Sequence, residues 1–349
     1  MLRSSLAFAP LALLSGSEVY LATDYHRAVT WEVSVERAFR LETVDFSMER
    51  DGEPMEQGPM GDGGNESYRT VAFTQTILEH SPEGPARVRR SFDTVEGTAV
   101  MTFGDEETES EVPSPFAGAE IEWRLEDGDP TVEVIDGDVE EDGLEAFPLG
   151  LPVDRLLPEA GAEEGATWAV EGEALLAALG LDVESTLFPP VPRDEEARGG
   201  RGGGGRRGGR MGGGRSSGVE ALLALEWEVE LTLADEREDS DWGPVARIEF
   251  EAAGSGEPPQ RSGGGRGGRE GAAPTEGSVT AELDGVLLYH LEGRHPVQLV
   301  CSGPVGIESV NRRQSRQGGE MVIRSVQEGE LSVSIGVELV DDGSGDEAE

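Results

Sequence analysis

Apolar and polar residues alternate along several stretches of this sequence, and this period of two constrains the fold more than any other feature. The alternation is clearest at Val29–Val35, Leu225–Leu233 and Leu331–Leu339. Because successive side chains of a β-strand point to opposite faces, the pattern predicts antiparallel strands with one buried face and one carboxylate-rich face. Weaker versions occur at Val44–Met48, Val71–Leu78, Ile121–Leu125, Val132–Ile135, Ile248–Phe250, Val279–Leu283 and Val297–Cys301.

At least nine such strands predict a mostly β fold with two antiparallel β layers or domains, of the sandwich or half-barrel kind. Between the two strand-rich halves, Glu171–Leu181 combines leucines and alanines at helical spacing, which predicts a short helix. We therefore expect an N-terminal β domain at 18–143, a connecting segment at 144–190 with a helix at 171–181, and a C-terminal β domain at 219–340.

The amino terminus has the features of an export signal. A short positive end precedes an apolar run at Leu6–Leu14, and small residues follow at Ser15–Ser17. A run of this length is typical of a signal peptide and is too short to span a bilayer. We expect a signal peptide at 1–17 and a periplasmic or secreted location, with a buried first strand or helix as the alternative. The sequence predicts no membrane-spanning helix.

Two segments consist largely of glycine and arginine. Residues 198–218 contain 12 glycines and six arginines, and residues 261–269 repeat this composition on a smaller scale. Such segments cannot bury enough apolar surface to offset the entropy of ordering glycine. The sequence predicts disorder at 191–218, in a loop at 253–277 and in an acidic tail at 341–349.

The arginine-glycine segments are the most conspicuous candidate binding elements. RGG-type tracts contact RNA through guanidinium groups, and an acidic partner such as a polysaccharide could use the same arginines. The segments contain no aromatic residue to stack on bases, and their arginines could instead contact the protein's own carboxylates. The candidate contact residues are Arg198, Arg201, Arg206, Arg207, Arg210, Arg215, Arg266 and Arg269.

The net charge argues against nucleic acid as the partner of the whole molecule. The chain carries 71 acidic residues against 28 basic ones, for a net charge of -43, and every basic residue apart from histidine is arginine. Such a surface repels nucleic acids and anionic membranes. Both a GC-rich coding sequence and adaptation to high salt would produce this composition.

Motifs for catalysis and metal binding are absent from the sequence. There is no Gly-x-Ser-x-Gly elbow, no HExxH and no pair of cysteines. An EF-hand that started at Asp136 would have Glu141 at the glycine position, so only a calcium site of another kind remains open. Cys301 lies on the apolar side of its alternating strand, which predicts a buried and inert thiol. We expect no enzyme activity, no cofactor and no catalytic residue.

Two short passages resemble exported β-rich bacterial proteins that have no assigned activity. Leu156–Pro158 followed by Gly165–Trp168 is similar to their central Leu-Pro and Gly-x-x-Trp motif, and Gly285–Val297 is similar to a late strand-turn-strand. The resemblance implies fold and compartment only, and the arginine-glycine segments depart from it. The five tryptophans are interpreted as core residues, with a sugar or peptide groove as the alternative.

These observations together favour an exported, non-enzymatic protein with a binding or envelope-structural role. The alternative is an RNA-associated intracellular protein that binds through its RGG-type loops.

Overall fold

The computed structural model describes residues 19–340, apart from 24, 26–28, 56–62, 83, 127, 159–160, 190–216, 240, 261–274 and 315–318. Within these residues the fold is mostly β with few helices, as the alternation predicted. The strands are β1 (Thr30–Arg50), β2 (Glu53–Pro54), β3 (Gly63–Ser81), β4 (Gly84–Phe103), β5 (Glu106–Glu111), β6 (Glu120–Glu126), β7 (Asp129–Asp136), β8 (Thr167–Val170), β9 (Glu226–Asp239), β10 (Gly243–Gly256), β11 (Glu276–His290), β12 (His295–Gln314) and β13 (Glu320–Val340).

All these strands belong to one antiparallel sheet. Its order is β7-β6-β4-β3-β1-β13-β12-β11-β10-β9-β8, with β2 beside β1 and β5 beside β4. The two strand-rich halves of the sequence are joined at the centre by the pairing of β1 with β13, which runs from Thr30↔Val340 to Arg50↔Met321. The two halves therefore share one hydrogen-bonded sheet.

One face of the sheet is covered by the segment between the two halves. This cover consists of 3-10 turns at Leu144–Ala146 and Pro152–Leu156 and the helices α1 (Gly172–Ala178) and α2 (Glu184–Leu187). A further helix, α3 (Ser217–Leu223), contacts β11. The turn at Leu144–Ala146 contacts β7, the turn at Pro152–Leu156 contacts β12, and α1 contacts β9. Since one short segment contacts strands from both halves, the sheet curves around it. The face of the sheet that this segment contacts is called the inner face below.

The predicted helix is confirmed as α1, which begins at Gly172 and ends at Ala178. Its residues Leu175 to Ala178 are buried. The Leu-Pro and Gly-x-x-Trp passages lie side by side, because the Trp168 indole nitrogen donates a hydrogen bond of 2.9 Å to the carbonyl of Leu156. None of the helices in the described part of the chain has the length and apolar character required to cross a bilayer.

The stretches that alternate in the sequence all lie in strands, and two of them share one strand. Val29–Val35 and Val44–Met48 both fall largely within β1, and a register shift between Thr43 and Asp45 separates their pairing with β13. The sequence patterns did not single out β4, because arginines and polar residues interrupt its apolar positions. β4 contributes the most deeply buried charged side chain of the inner face, Arg90.

Candidate functional site

A cavity lies between the cover and the inner face of β1, β3 and β4. The centre of a water molecule can occupy about 50 Å³ of this cavity. The total atom-free space is about 600 Å³, which includes the open mouth. Most of its wall is apolar, and three arginines interrupt that wall. We call it the arginine cavity. Its lining residues are Val35, Arg37, Arg69, Val71, Phe73, Arg90, Phe92, Phe147, Pro148, Pro152, Ala177, Gly180, Asp182, Val183 and Leu187.

The three arginines enter the cavity because each occupies an inward position of its strand. Arg37 is inward because it lies in the same alternation as Trp31, Val33 and Phe39. The same argument holds for Arg69 in β3, two residues before Val71, and for Arg90 in β4, between Val88 and Phe92. The three residues are 7%, 6% and 2% exposed. Charged groups are rarely buried to this degree unless they are paired.

Arg37 and Arg69 form one end of the cavity, and they face each other directly across the β1–β3 pair. Like charges opposite one another in a sheet repel. Both arginines form ion pairs with one carboxylate, Glu184 of α2. The Arg69 Nε atom lies 3.5 Å from Glu184 Oε1 and has no hydrogen-bond partner in the described part of the chain.

Neutral groups complete the surroundings of this pair. Arg37 donates to the carbonyl of Gly180 at 3.2 Å, and Arg69 donates to the carbonyls of Tyr68 and Thr98 at 2.9 and 3.1 Å. The Arg69 guanidinium also lies over the ring of Phe188, 4.9 Å from its centroid. Burial lowers the pKa of both arginines from the usual arginine value, and Glu184 opposes that shift. The local environment therefore compensates only part of the cost of burying two cations.

Gly97 explains how the bulky Arg69 side chain fits flat against the sheet. It lies directly opposite Arg69 on β4. A Cβ atom at this position would lie 3.1 Å from Arg69 Nη1 and 3.2 Å from Arg69 Cδ. A side chain at Gly97 would thus push the guanidinium out of its present place.

Arg90 lies at the other end of the cavity and has only neutral hydrogen-bond acceptors among the described residues. Its Nε donates to Gln75 Oε1 at 2.8 Å, and its Nη2 donates to the carbonyls of Pro148 and Gly150. The guanidinium also lies over the rings of Phe73 and Trp123. Burial lowers the pKa of Arg90 to about 10.

Two aspartates lie near the cavity under the cover. Asp154 accepts hydrogen bonds from the hydroxyls of Thr23 and Tyr25, and Tyr25 in turn accepts one from the Leu151 amide at 2.7 Å. Burial raises the pKa of Asp154 to about 6, against the opposing effect of these hydrogen bonds. Burial also raises the pKa of Asp182, which lines the cavity itself. Both shifts favour the neutral acid, although with a pKa of about 6 Asp154 is mostly ionised at neutral pH. Neither aspartate forms an ion pair with Arg37, Arg69 or Arg90, whose ion pairs in the described part of the chain are both with Glu184.

Comparison with known proteins gives no family assignment. No protein-family profile matches the sequence, and no curated protein matches it. A solved structure of lipovitellin is 7% identical with a TM-score of 0.34, covering 91% of this chain and 26% of that chain, so the present chain spans about a quarter of its length. The outer membrane protein OprG of Pseudomonas aeruginosa is 6% identical with a TM-score of 0.20, covering 88% and 96%. OccK5 of the same organism is 10% identical with a TM-score of 0.18, covering 89% and 98%. Scores this low support no inference about function.

The arginines singled out in the sequence are different residues from the three that line this cavity. Arg198, Arg201, Arg206, Arg207, Arg210, Arg215, Arg266 and Arg269 all lie outside the described residues, as do the predicted signal peptide and the acidic tail. Their proposed contacts therefore stay predictions. Within the described residues, no group of three or more acidic, histidine or cysteine side chains is arranged to hold a metal ion.

Two other sequence predictions can be compared directly with the structure. Cys301 is buried, and burial raises the pKa of its thiol to about 12, so it is a thiol and not a thiolate at neutral pH. Trp31 and Trp123 are buried on the inner face, and Trp168 and Trp227 pack against the same core. These four tryptophans lie in the core or pack against it, which agrees with their interpretation as core residues.

The cavity arginines were missed, although the sequence contains a signal for them. Each one occupies a position that is otherwise apolar in an alternating strand, so the two-residue alternation alone places its side chain on the inner face. A search for motifs and clusters does not detect this signal, because Arg37, Arg69 and Arg90 are far apart along the chain.

Proposed function

We propose that this chain is an exported, non-enzymatic binding protein that holds a small molecule with an apolar body in the arginine cavity. One observation carries the proposal: a largely apolar cavity between the sheet and its cover, with a few polar groups that converge on it. Small-molecule sites are typically concave and mostly apolar, with a small number of placed polar groups.

The composition of the wall favours binding over catalysis. Its residues include no serine, threonine, cysteine, histidine, lysine or tyrosine, so a nucleophile of the usual kinds does not line it. Arginine stays protonated and is a poor general base. Asp182 is the one ionisable acid among the lining residues. Arginines beside an apolar wall are suited to holding and orienting a ligand.

Binding of 1-octanol, measured by calorimetry on the full chain, tests the proposal. Ala177 of α1 lines the cavity and is buried, so Ala177→Leu adds bulk to the site. We expect it to weaken 1-octanol binding by about tenfold or more, the equivalent of about 1.4 kcal/mol. The matched control is Ala174→Leu, on the same helix but outside the lining, and it should leave the affinity unchanged.

A second variant moves the affinity in the opposite direction. Leu187→Ala shortens a lining side chain and enlarges the cavity, so a longer alcohol such as 1-decanol should bind more tightly than it does to the wild type. If 1-octanol does not bind the wild type, or if the Ala177 and Ala174 variants bind it equally, the cavity is not the ligand site.

Export is the second part of the proposal, and it rests on the apolar run at Leu6–Leu14 after Arg3. Mass spectrometry of the protein made in a bacterial host should find a mature chain that starts at Glu18. A cytoplasmic protein that retains Met1 would contradict export and leave the binding proposal standing.

A further inference from the structure

We propose that the ligand of the arginine cavity is a carboxylate amphiphile, with its head group between Arg37 and Arg69 and a short apolar chain along the wall towards Arg90. This inference rests on the proposed function and names the chemical class of the ligand. It follows from the charges of the described residues around the cavity and from the geometry of Glu184.

The buried arginines around the cavity are incompletely ion-paired. Three arginines line it, whereas one carboxylate, Glu184, forms ion pairs with two of them. Arg90 hydrogen-bonds to an amide oxygen and two backbone carbonyls, with no ion pair to any carboxylate of the described residues. A buried cation costs several kcal/mol unless an anion compensates it. A ligand that brings one negative charge would offset part of this cost.

Fixing the cover onto the sheet does not by itself require these charges. The arginines do join the two layers, through Gly180, Pro148, Gly150 and Glu184. Neutral side chains or well-packed apolar residues would hold the layers without burying cations that lack an ion pair, and replacing buried ion pairs by apolar groups is often neutral or stabilising. The excess of arginine is therefore better explained by an anionic ligand than by docking of the cover.

Glu184 shows which head group the arginine pair accommodates. Its carboxylate contacts Arg37 through Oε2 and Arg69 through Oε1, so a planar two-oxygen anion already spans the two guanidinium groups. It is carried by α2, a helix of four residues. A ligand carboxylate in this bridging position would offer one oxygen to each guanidinium, including the Arg69 Nε, which has no hydrogen-bond partner among the described residues. Glu184 would then act as an internal competitor for the head-group site.

The apolar wall continues from this pair in the direction of Arg90. The next inward rows along β1 and β3 are Val35↔Val71 and Val33↔Phe73, and the Trp31↔Gln75 row lies beyond them. Val35, Val71 and Phe73 line the cavity, together with Phe92. Two rows of this kind span about 13 Å along the strands. A short alkyl chain fits such a wall better than a fully polar anion.

The experiment compares two ligands that differ only in their head group, octanoate and 1-octanol, by calorimetry at pH 8. The wild type should bind octanoate at least about tenfold more tightly, because hydrogen bonds to charged partners are the stronger ones. Arg69→Gln should remove this preference and retain 1-octanol binding. The matched control is Arg89→Gln, on β4 next to Arg90 but with a side chain 41% exposed, and it should keep the preference.

Glu184→Gln tests the competitor directly. This variant removes the internal anion and keeps a side chain of the same size, so octanoate affinity should rise about tenfold while 1-octanol affinity stays the same. A purely structural role for Glu184 would not change the ratio of the two affinities. The Glu184→Gln measurement tests the carboxylate inference even if Arg69→Gln fails to fold.

The outcomes separate the two proposals. If the wild type binds 1-octanol and octanoate equally, the carboxylate inference is wrong and the binding function stands. If it prefers octanoate but neither Arg69→Gln nor Glu184→Gln changes that preference, the head group lies elsewhere and the inference is also wrong. If 1-octanol does not bind the wild type, the proposed function itself is wrong.

Discussion

The two halves of the inner face are buried by the same cover but differ in chemistry. In the C-terminal half, β9–β13 present an apolar surface that includes Leu231, Phe250, Leu287 and Leu299, with no buried arginine or acidic residue among the described ones. In the N-terminal half, β1, β3 and β4 bury three arginines and Gln75. The C-terminal half shows that this sheet can bury its inner face without charge. The ligand site proposed above would account for the charges of the N-terminal half.

The largest expected effect is loss of core packing in the C-terminal half. Leu299 is fully buried, and Leu299→Ala should lower the free energy of unfolding by about 2–5 kcal/mol through lost burial and a residual cavity. Urea denaturation measures this change. Octanoate should not restore the lost stability beyond its effect on the wild type. A rescue specific to this variant would show that the ligand binds in the C-terminal half and would break the contrast between the halves.

A pH-dependent effect on stability is expected from Asp154, which lies next to the arginine cavity. Because Asp154 has a pKa of about 6 in the folded state, above the unfolded value, the folded state holds an extra proton between about pH 4 and pH 6. The contribution of Asp154 to stability is therefore greatest below about pH 4, falls as the pH rises to about 6, and is constant above that.

Asp154→Asn should remove this contribution to the pH dependence. The free energy of unfolding of the wild type minus that of the variant should fall by up to about 3 kcal/mol as the pH rises from 4 to 6.5. The control is Asp241→Asn at an exposed position, which tests for the general effect of removing one of many acidic groups. Parallel curves for the wild type and Asp154→Asn would show that this carboxyl does not titrate in that range.

The smallest expected effect is also the sharpest test of why the N-terminal half buries charge. Arg69→Met keeps an apolar side chain in place and ends the repulsion between Arg69 and Arg37, so Glu184 retains one arginine partner. Without ligand, the free energy of unfolding should stay the same or rise by about 1 kcal/mol. Thermal and urea unfolding measure it. A loss of about 3–5 kcal/mol, as expected when a required buried pair is broken, would mean that the arginines serve stability.

Much of the fold follows from local pattern, whereas the pairing does not. The alternation at Leu331–Leu339 and Val29–Val35 predicts two strands with buried apolar faces. Both strands are confirmed, and the apolar face is buried as predicted except at Leu339, which is exposed. Their hydrogen-bonded pairing joins opposite ends of the chain. Local sequence carries little information on such long-range pairing, which is why two layers or domains were expected where the halves share one sheet.

The site was harder to predict than the fold because it depends on register. The alternation along each strand places Arg37 and Arg69 on the inner face. Only the β1–β3 register shows that they lie opposite each other. The position of Glu184 depends on how the cover folds back onto the sheet. Arginine in an apolar position of an alternating strand is the sequence signal that could have been used.

A crystal structure of the full chain grown with octanoate would test the central claim most directly. We expect the octanoate carboxylate within about 4 Å of the Arg37 and Arg69 guanidinium groups, the usual limit for an ion pair, with the alkyl chain against Val71 and Phe73. Octanoate bound instead against the C-terminal strands, or only on the outer face of the sheet, would contradict the assignment of ligand binding to the N-terminal half.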